Sequence, residues 1–287
     1  MKNSLQSISI IIPVYNESNN LIPLYQALQP ILTPLRLCYQ FTVLFVDDGS
    51  DDGSLTIIQY LAQMDSNVQW ISLSRNFGKE IALTAGLDHT DSDAVILIDA
   101  DLQHPPALIP EFLEAWSAGF DGAYAEVKNR PHESWLKKKL KNHFYKGLQT
   151  LSNVPIPPNA GDFRLLSRQM VTSIKSMRER HRYLKGLYAW VGFSQKAIPY
   201  TPHPRHAGTT TWSYWKLFNF GVEGITSFST TPLRLATYLG FLSACSAFLY
   251  AFYVIGKTVL FGEIIRGYPT LLIVILLLGG TQLITLG

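Results

Sequence analysis

The chain has 287 residues, 47% of them hydrophobic, with a net charge of +3 at pH 7; that length accommodates one large α/β domain and a membrane anchor. Its two cysteines exclude a disulfide framework and fit a reducing compartment, because Cys245 lies inside a long apolar run. The small net charge conceals an asymmetry: residues 1–127 carry 4 Lys/Arg against 16 Asp/Glu, and residues 128–287 carry 20 against 5.

An acidic half suits a cation or nucleotide–metal site. A basic half beside apolar spans suits anionic head groups or phosphates, and no nucleic-acid partner is expected. Residues 1–7 are polar and the apolar run 8–14 is too short for a secretory leader, so the chain is expected to begin folded structure on the side where it is made.

In chain order, 8–14, 41–46 and 94–98 are short β-branched runs that predict strands buried on both faces, and 68–73 is a weaker one. The intervening segments near 19–31, 54–64 and 80–89 predict helices. The alternation implies a mainly parallel sheet with helices on both faces, whose ligands lie beyond the carboxyl ends of the strands. Acidic residues fall there: Asp47 and Asp48 after one strand, Asp99 and Asp101 after another. Residues 132–151 predict a basic amphipathic helix with Trp135 at its start, which suits either a membrane interface or an ordinary solvated face. Residues 203–212 predict a polar loop, and 213–230 a second surface helix. Two uncharged stretches, 235–255 and 268–287, predict a transmembrane hairpin following a catalytic domain over 1–230. The Lys/Arg excess ahead of the first span places the domain in the cytosol.

Asp99-Ala-Asp101 carries the clearest chemistry. Two carboxylates one residue apart on a turn can share Mg²⁺ or Mn²⁺ with the diphosphate of a nucleotide. The segment Asp47–Gly53 can meet a nucleobase or ribose at a strand end, and it can equally serve as turn and helix cap, with Asp52 or Ser54 opening the next helix. No G-x-G-x-x-G follows the first strand and no G-x-x-x-x-G-K-[ST] is present, which disfavours a dehydrogenase and a P-loop NTPase.

Four segments in order, Pro13–Glu17, Asp47–Gly53, Arg75–Lys79 and Asp99–Pro106, resemble the inverting glycosyltransferases of family 2. With the C-terminal apolar spans, the chain is similar to polyprenyl-phosphate glycosyltransferases. The resemblance implies a Rossmann-like GT-A nucleotide-sugar-binding domain, amphipathic interface helices and a two-helix anchor. It also implies an activity that moves a sugar, favoured as glucose from UDP-glucose, onto undecaprenyl phosphate at the inner membrane for envelope or O-antigen modification. The same fold acting on GDP-mannose or another UDP-sugar, and a non-catalytic scaffold subunit, are the alternatives; homo-oligomerisation is left open. A processive polysaccharide synthase is disfavoured, because no Gln-x-x-Arg-Trp element is present.

By the same resemblance, Pro13, Tyr15, Glu17, Asp48 and Asp99 hold the donor nucleotide, and Asp99 and Asp101 hold Mg²⁺ or Mn²⁺. Arg75, Lys79, Gln103, Arg164 and Arg205 meet phosphate or acceptor, and Asp162 is the active-site aspartate, acting with Asp101. Thr210-Thr211-Trp212 stands where related enzymes show Ser-Lys-Tyr, so the loop lacks their lysine. A phosphate acceptor is already ionised near neutrality, so Asp162 could orient or stabilise rather than take a proton; it could also simply pair with Arg164.

Overall fold

The structure is a computed structural model that describes residues 5–128, 157, 160–179, 182–201, 231–262 and 267–286. The two expected amphipathic helices, 132–151 and 213–230, and the loop 203–212 with Arg205, His203 and His206 lie outside the described residues. The chain divides into two compact units, one containing all the described strands and the other the last two helices.

In the first unit, the strands are β1 (Gln6–Val14), β2 (Tyr39–Asp47), β3 (Val68–Ser72), β4 (Ala94–Leu97), β5 (Gly122–Val127), β6 (Ala160–Ser167) and β7 (Gln195–Tyr200). They form one sheet in the order β3-β2-β1-β4-β6-β5-β7. Every pair is parallel except β4–β6 and β5–β6. The α/β, mixed and mainly parallel sheet is therefore as expected, with β6 alone running against its neighbours.

β1 sits centrally because Ile8, Ile10, Ile11 and Ile12 are all fully buried and occupy both faces. Its Pro13 is tolerated because β4 pairs with β1 only as far as Ile11↔Leu97, leaving Pro13 a ladder neighbour on the β2 side alone. The first helix, α1 (Ser18–Leu35), runs past the expected end near 31 despite Pro23, Pro30 and Pro34 inside it. Leu21, Leu24, Leu28 and Leu32 recur at helical spacing and are each fully buried, and that burial outweighs the hydrogen bonds the prolines remove. α2 (Ser54–Met64), α3 (Lys79–Asp88), α4 (Ile109–Ser117), α5 (Arg168–Ser176) and α6 (Leu184–Trp190) complete the unit.

The β4–β6 register decides the geometry of the site. Leu97 faces Arg164 and Ala94 faces Ser167 in an antiparallel ladder. Continuing that ladder two residues past the end of β4 sets position 99 opposite position 162. Residues 63 apart in sequence thus meet at one edge, at the carboxyl end of the parallel strands.

The second unit holds α7 (Thr231–Phe261) and α8 (Tyr268–Leu286), which pack on each other. Its segment Arg234–Phe261 is long and apolar enough to cross a membrane. In α8 the apolar stretch Ile273–Gln282 is shorter. The expected first span, 235–255, thus lies within a helix that meets the requirement, while the second forms as a helix without meeting it by itself. Small residues set the helix contact: a Cβ built on Gly280 would stand 2.9 Å from the Ala244 nitrogen and 3.0 Å from the Gly240 carbonyl oxygen.

Candidate active site

Three loops at the carboxyl ends of β1, β2 and β3 are fastened to one another by backbone–side-chain bonds. Asn16 N–H donates to Ser50 Oγ, Glu17 N–H to Ser54 Oγ and Ser18 N–H to Asp52 Oδ2, each at 3.0 Å. Asn16 Oδ1 accepts from Asp51 N–H at 3.0 Å, and Asn16 holds a left-handed φ of 55°. Such a conformation costs an L-residue about 1 kcal/mol or more, so the interlock holds a strained turn in place. Asp52 also accepts from Ser54 N–H at 3.0 Å, so it does tie down the start of α2. Tyr15 beside these bonds is 44% exposed, Pro13 is half-buried, and Glu17 Oε2 accepts from Asn20 Nδ2 at 2.5 Å.

Asp48 is 2% exposed, and its two oxygens accept from Phe77 N–H and Gly78 N–H at 2.8 Å each. It therefore anchors the 75–79 loop immediately before Lys79 opens α3. Arg75, exposed, lies over the Phe77 ring at 4.7 Å. Gly49 lies under this loop at φ +70°, and a Cβ there would stand 2.5 Å from the Arg75 carbonyl carbon and 2.8 Å from the Asn76 nitrogen. Gly49→Ala should combine backbone strain with that overlap. Roughly 2 kcal/mol of stability should be lost; thermal melting of the variant checks this, and a wild-type melting curve would refute it.

Lys79 and two carboxylates, Asp99 and Asp162, form the centre. Lys79 Nζ lies 2.5 Å from Asp162 Oδ2 and 2.6 Å from Asp99 Oδ1. Lys185 Nζ, from α6, stands 3.7 Å from Asp162 Oδ1, and His104 Nε2 stands 3.6 Å from Asp99 Oδ2. Burial is the largest single influence on Asp99 and Asp162 and works against their ionisation, but Lys79 with His104 at Asp99, and Lys79 with Lys185 at Asp162, together outweigh it and hold both carboxyls well below the usual range. Against the cost of partial desolvation, Lys79 is correspondingly held charged far above the ordinary lysine range by the Asp162 and Asp99 carboxylates. Asp101 is 7% exposed, and its Oδ1 accepts from Gln103 N–H at 3.1 Å across a turn in which Leu102 takes φ 58°. His104 packs between Phe163 and Tyr200 and shares its Nδ1 with the Tyr200 hydroxyl at 2.7 Å.

The Asp162–Arg164 pairing that the sequence left open is not what forms. Arg164 donates to the Gly161 carbonyl at 2.6 Å and lies 3.9 Å from the centre of the Tyr188 ring, while the ion-pair partners of Asp162 among the described residues are Lys79 and Lys185. Arg164 Nε and the Tyr188 hydroxyl are buried without a hydrogen-bond partner among the described residues. A cavity of about 310 Å³ opens here, lined by Tyr124, Arg164, Lys185, Tyr188 and Phe193. Other basic residues have structural work: Arg178 pairs with Asp88 at 2.8 Å, and Arg182 donates to the Ile174 and Met177 carbonyls.

Glu80 gave no signal in the sequence, standing beside Lys79 as one more helix-surface charge. In the fold its Oε2 accepts from Leu184 N–H at 3.2 Å and so fixes the start of α6, which carries Lys185 and Tyr188. Burial first, then the Asp162 carboxylate, push the Glu80 carboxyl up to about 7, although Lys79, the Leu184 N–H and Lys185 pull the other way. A carboxyl raised on folding stabilises fully below its unfolded pKa near 4.5, and the contribution is lost as pH rises through about 7. Glu80→Gln retains an acceptor for Leu184 and should match wild type in melting temperature at pH 5 but exceed it at pH 8, by roughly 2 kcal/mol. Equal pH dependence in the two proteins would refute the assignment.

Among the described residues no group of three or more His, Cys, Asp or Glu is arranged to hold a metal by itself. Asp99 and Asp101 supply two hard oxygen ligands on one turn, and Asp99 already carries a cationic partner. That donor set fits Mg²⁺ or Mn²⁺ completed by phosphate oxygens and water, since such ions are commonly held by one or two carboxylates and the substrate.

Residues 9–174 match the model of the family described as glycosyl transferase family 2. The chain is 46% identical over 280 residues to an uncharacterized glycosyltransferase of Synechocystis sp., covering 98% of this chain and 87% of that one. It is 45% identical over 280 residues to the prophage bactoprenol glucosyl transferase homolog of Escherichia coli, covering 98% and 91%. Among solved structures, the mannosyltransferase of Pyrobaculum calidifontis in complex with GDP-Man and Mn²⁺ superposes with a TM-score of 0.54 over 99% of this chain and 88% of that one, at 14% identity, a likeness of fold.

Proposed function

The chain belongs to glycosyl transferase family 2 and is a glycosyltransferase, and from that premise we propose that it moves glucose from UDP-glucose onto the phosphate of a polyprenyl lipid, with inversion at the anomeric carbon. The likeness along nearly the whole chain to a relative named for bactoprenol glucosyl transfer carries the choice of sugar and acceptor. The apolar helix Arg234–Phe261 and the basic second half of the sequence are consistent with a lipid acceptor. On this reading α7 and α8 form a two-span anchor in the cytoplasmic membrane, the catalytic unit faces the cytosol, and the product donates glucose for O-antigen or other envelope modification.

Each group then has a task. Pro13, Tyr15 and Glu17 line the nucleoside end of the donor, and Asp48 acts there through the loop it anchors. Asp99 and Asp101 would hold Mg²⁺ or Mn²⁺, which when bound neutralises charge on the leaving diphosphate. Arg75 and Gln103 border the diphosphate. Arg164, Lys185 and the Tyr188 hydroxyl, which has no hydrogen-bond partner among the described residues, offer the acceptor phosphate a basic cavity next to Asp162. An acceptor phosphate oxygen bonds to the anomeric carbon as the bond from that carbon to the β-phosphate oxygen breaks, and UDP leaves. A phosphate with a second pKa of about 6 is ionised without help from a base. Asp162, held anionic, instead faces the positive charge that develops on the sugar.

The test is incubation of detergent-purified protein with undecaprenyl phosphate, Mg²⁺ and, separately, UDP-glucose, UDP-galactose, UDP-N-acetylglucosamine and GDP-mannose, with lipid-linked sugar read by mass. Glucose transfer from UDP-glucose alone is the expected result. Product from another donor would replace the sugar, and product from none would overturn the reading.

A further inference from the structure

The cation seated between Asp99 and Asp162 is a side chain. Lys79 Nζ bridges the two carboxylates at 2.6 and 2.5 Å, so a metal held by Asp99 and Asp101 would have to share Asp99 with an ammonium group. A divalent ion added there meets an ammonium group already bonded to one of its ligands, so metal and Lys79 oppose each other at Asp99. The backbone of Lys79 cannot easily retreat, because Asp48 clamps the N–H groups of Phe77 and Gly78 just before it. Its four-carbon stem can move instead, and its side chain is 38% exposed towards the site. A diphosphate delivered with the metal would offer that ammonium new oxygen partners.

We propose that Lys79 is a built-in counter-ion of the donor site, holding the place of the metal at Asp99 while the site is empty and exchanging onto a diphosphate oxygen when metal and nucleotide bind together. The proposal rests on the assignment of Asp99 and Asp101 as the metal carboxylates of the donor site. Two consequences follow from the geometry. Metal alone binds against the ion pair it must break, whereas metal with diphosphate does not, so the two ligands reinforce each other reciprocally. Asp162 also loses its nearer cation during the exchange and keeps Lys185 at 3.7 Å, so its charge becomes available to the reacting sugar only when a donor is in place.

The experiment is Mn²⁺ titration of the purified full chain, followed by electron paramagnetic resonance of free Mn²⁺, with and without UDP, for wild type, Lys79→Met and Lys79→Arg. Lys79→Met should bind Mn²⁺ alone at least about tenfold more tightly than wild type, and UDP should add less in it than in wild type. Lys79→Arg, which keeps the charge, should bind Mn²⁺ alone as weakly as wild type. A further Asp101→Asn change in the Lys79→Met chain should remove the gain. If Lys79→Met melts far below wild type, the comparison moves to the Asp162→Asn background, where one carboxylate and the ammonium are removed together. There, Lys79→Met should again tighten Mn²⁺ binding. Unchanged, weaker or undetectable Mn²⁺ binding in the folded Lys79→Met chain overturns the proposal. Tightening by Lys79→Met without any response to UDP in either protein supports Lys79 as the place-holder at Asp99 but overturns its exchange onto the diphosphate of a uridine nucleotide. Sugar transfer is not read, so a wrong sugar or acceptor leaves the outcome intact.

Discussion

Asp101→Asn should lower kcat/KM for sugar transfer by about 10³-fold while leaving the melting temperature close to that of wild type. Asp101 is 7% exposed and its Oδ1 accepts the Gln103 N–H that closes the turn after β4. An asparagine keeps that acceptor, so the turn and its strained Leu102 persist. What would be lost is one of the two negative charges proposed to hold a divalent cation and, through it, the leaving diphosphate. The loss should appear in mass-detected glycolipid and should not be recovered by raising Mg²⁺ or Mn²⁺. A variant that melts normally and transfers sugar at near wild-type rate would remove Asp101 from the metal site.

Asp162→Asn should reduce kcat on the order of 10²–10³-fold with little change in KM for the nucleotide sugar. The side chain keeps its shape and its proximity to Lys79 and Lys185, and only the charge is removed. Lys79 and Lys185 hold the Asp162 carboxyl well below the usual range in the empty site in spite of its burial, and with Lys185 still 3.7 Å away in the loaded site it is expected to stay anionic under assay. A proton acceptor tuned for pH 7 would have its pKa raised towards that value; Asp162 is displaced in the opposite direction. The pH profile of kcat/KM for the lipid should therefore rise through about pH 6, as the acceptor phosphate becomes a dianion, and the limb should have the same position in wild type and variant. A limb that disappears with Asp162 would identify it as the base instead. Initial rates across pH 5 to 8 separate the two outcomes.

Much of the donor edge was legible in the sequence because it is written in local patterns. Short β-branched runs with helices between them announce a parallel sheet, and carboxylates at the ends of those runs lie where such sheets bind ligands. Asp48, Asp99 and Asp101 stand at that edge in the structure. Other features followed long-range forces. The strands β5, β6 and β7 carry polar or small residues such as Gly122, Glu126, Gly161 and Gln195, so periodicity did not reveal them. The extension of α1 through Pro30 and Pro34 depends on the fully buried Leu32, a tertiary effect that overrides local propensity. Asp48 has a task that no motif discloses: both its oxygens are spent on the loop that carries Lys79.

By itself the sequence determined the alternating α/β order, the acidic donor edge, the apolar C-terminal segments and the resemblance to family 2, since each is a matter of residue type at short spacing. Only the tertiary structure decided who meets whom. The antiparallel entry of β6 beside β4 puts Asp162 across from Asp99, and the Asp48 clamp delivers Lys79 between them, not Arg164 beside Asp162. The half-buried Glu80 ties α6 against that group and sets Lys185 within reach of Asp162. Electrostatic pairing of this kind depends on distance and burial, and neither is written in any stretch of chain shorter than the fold itself.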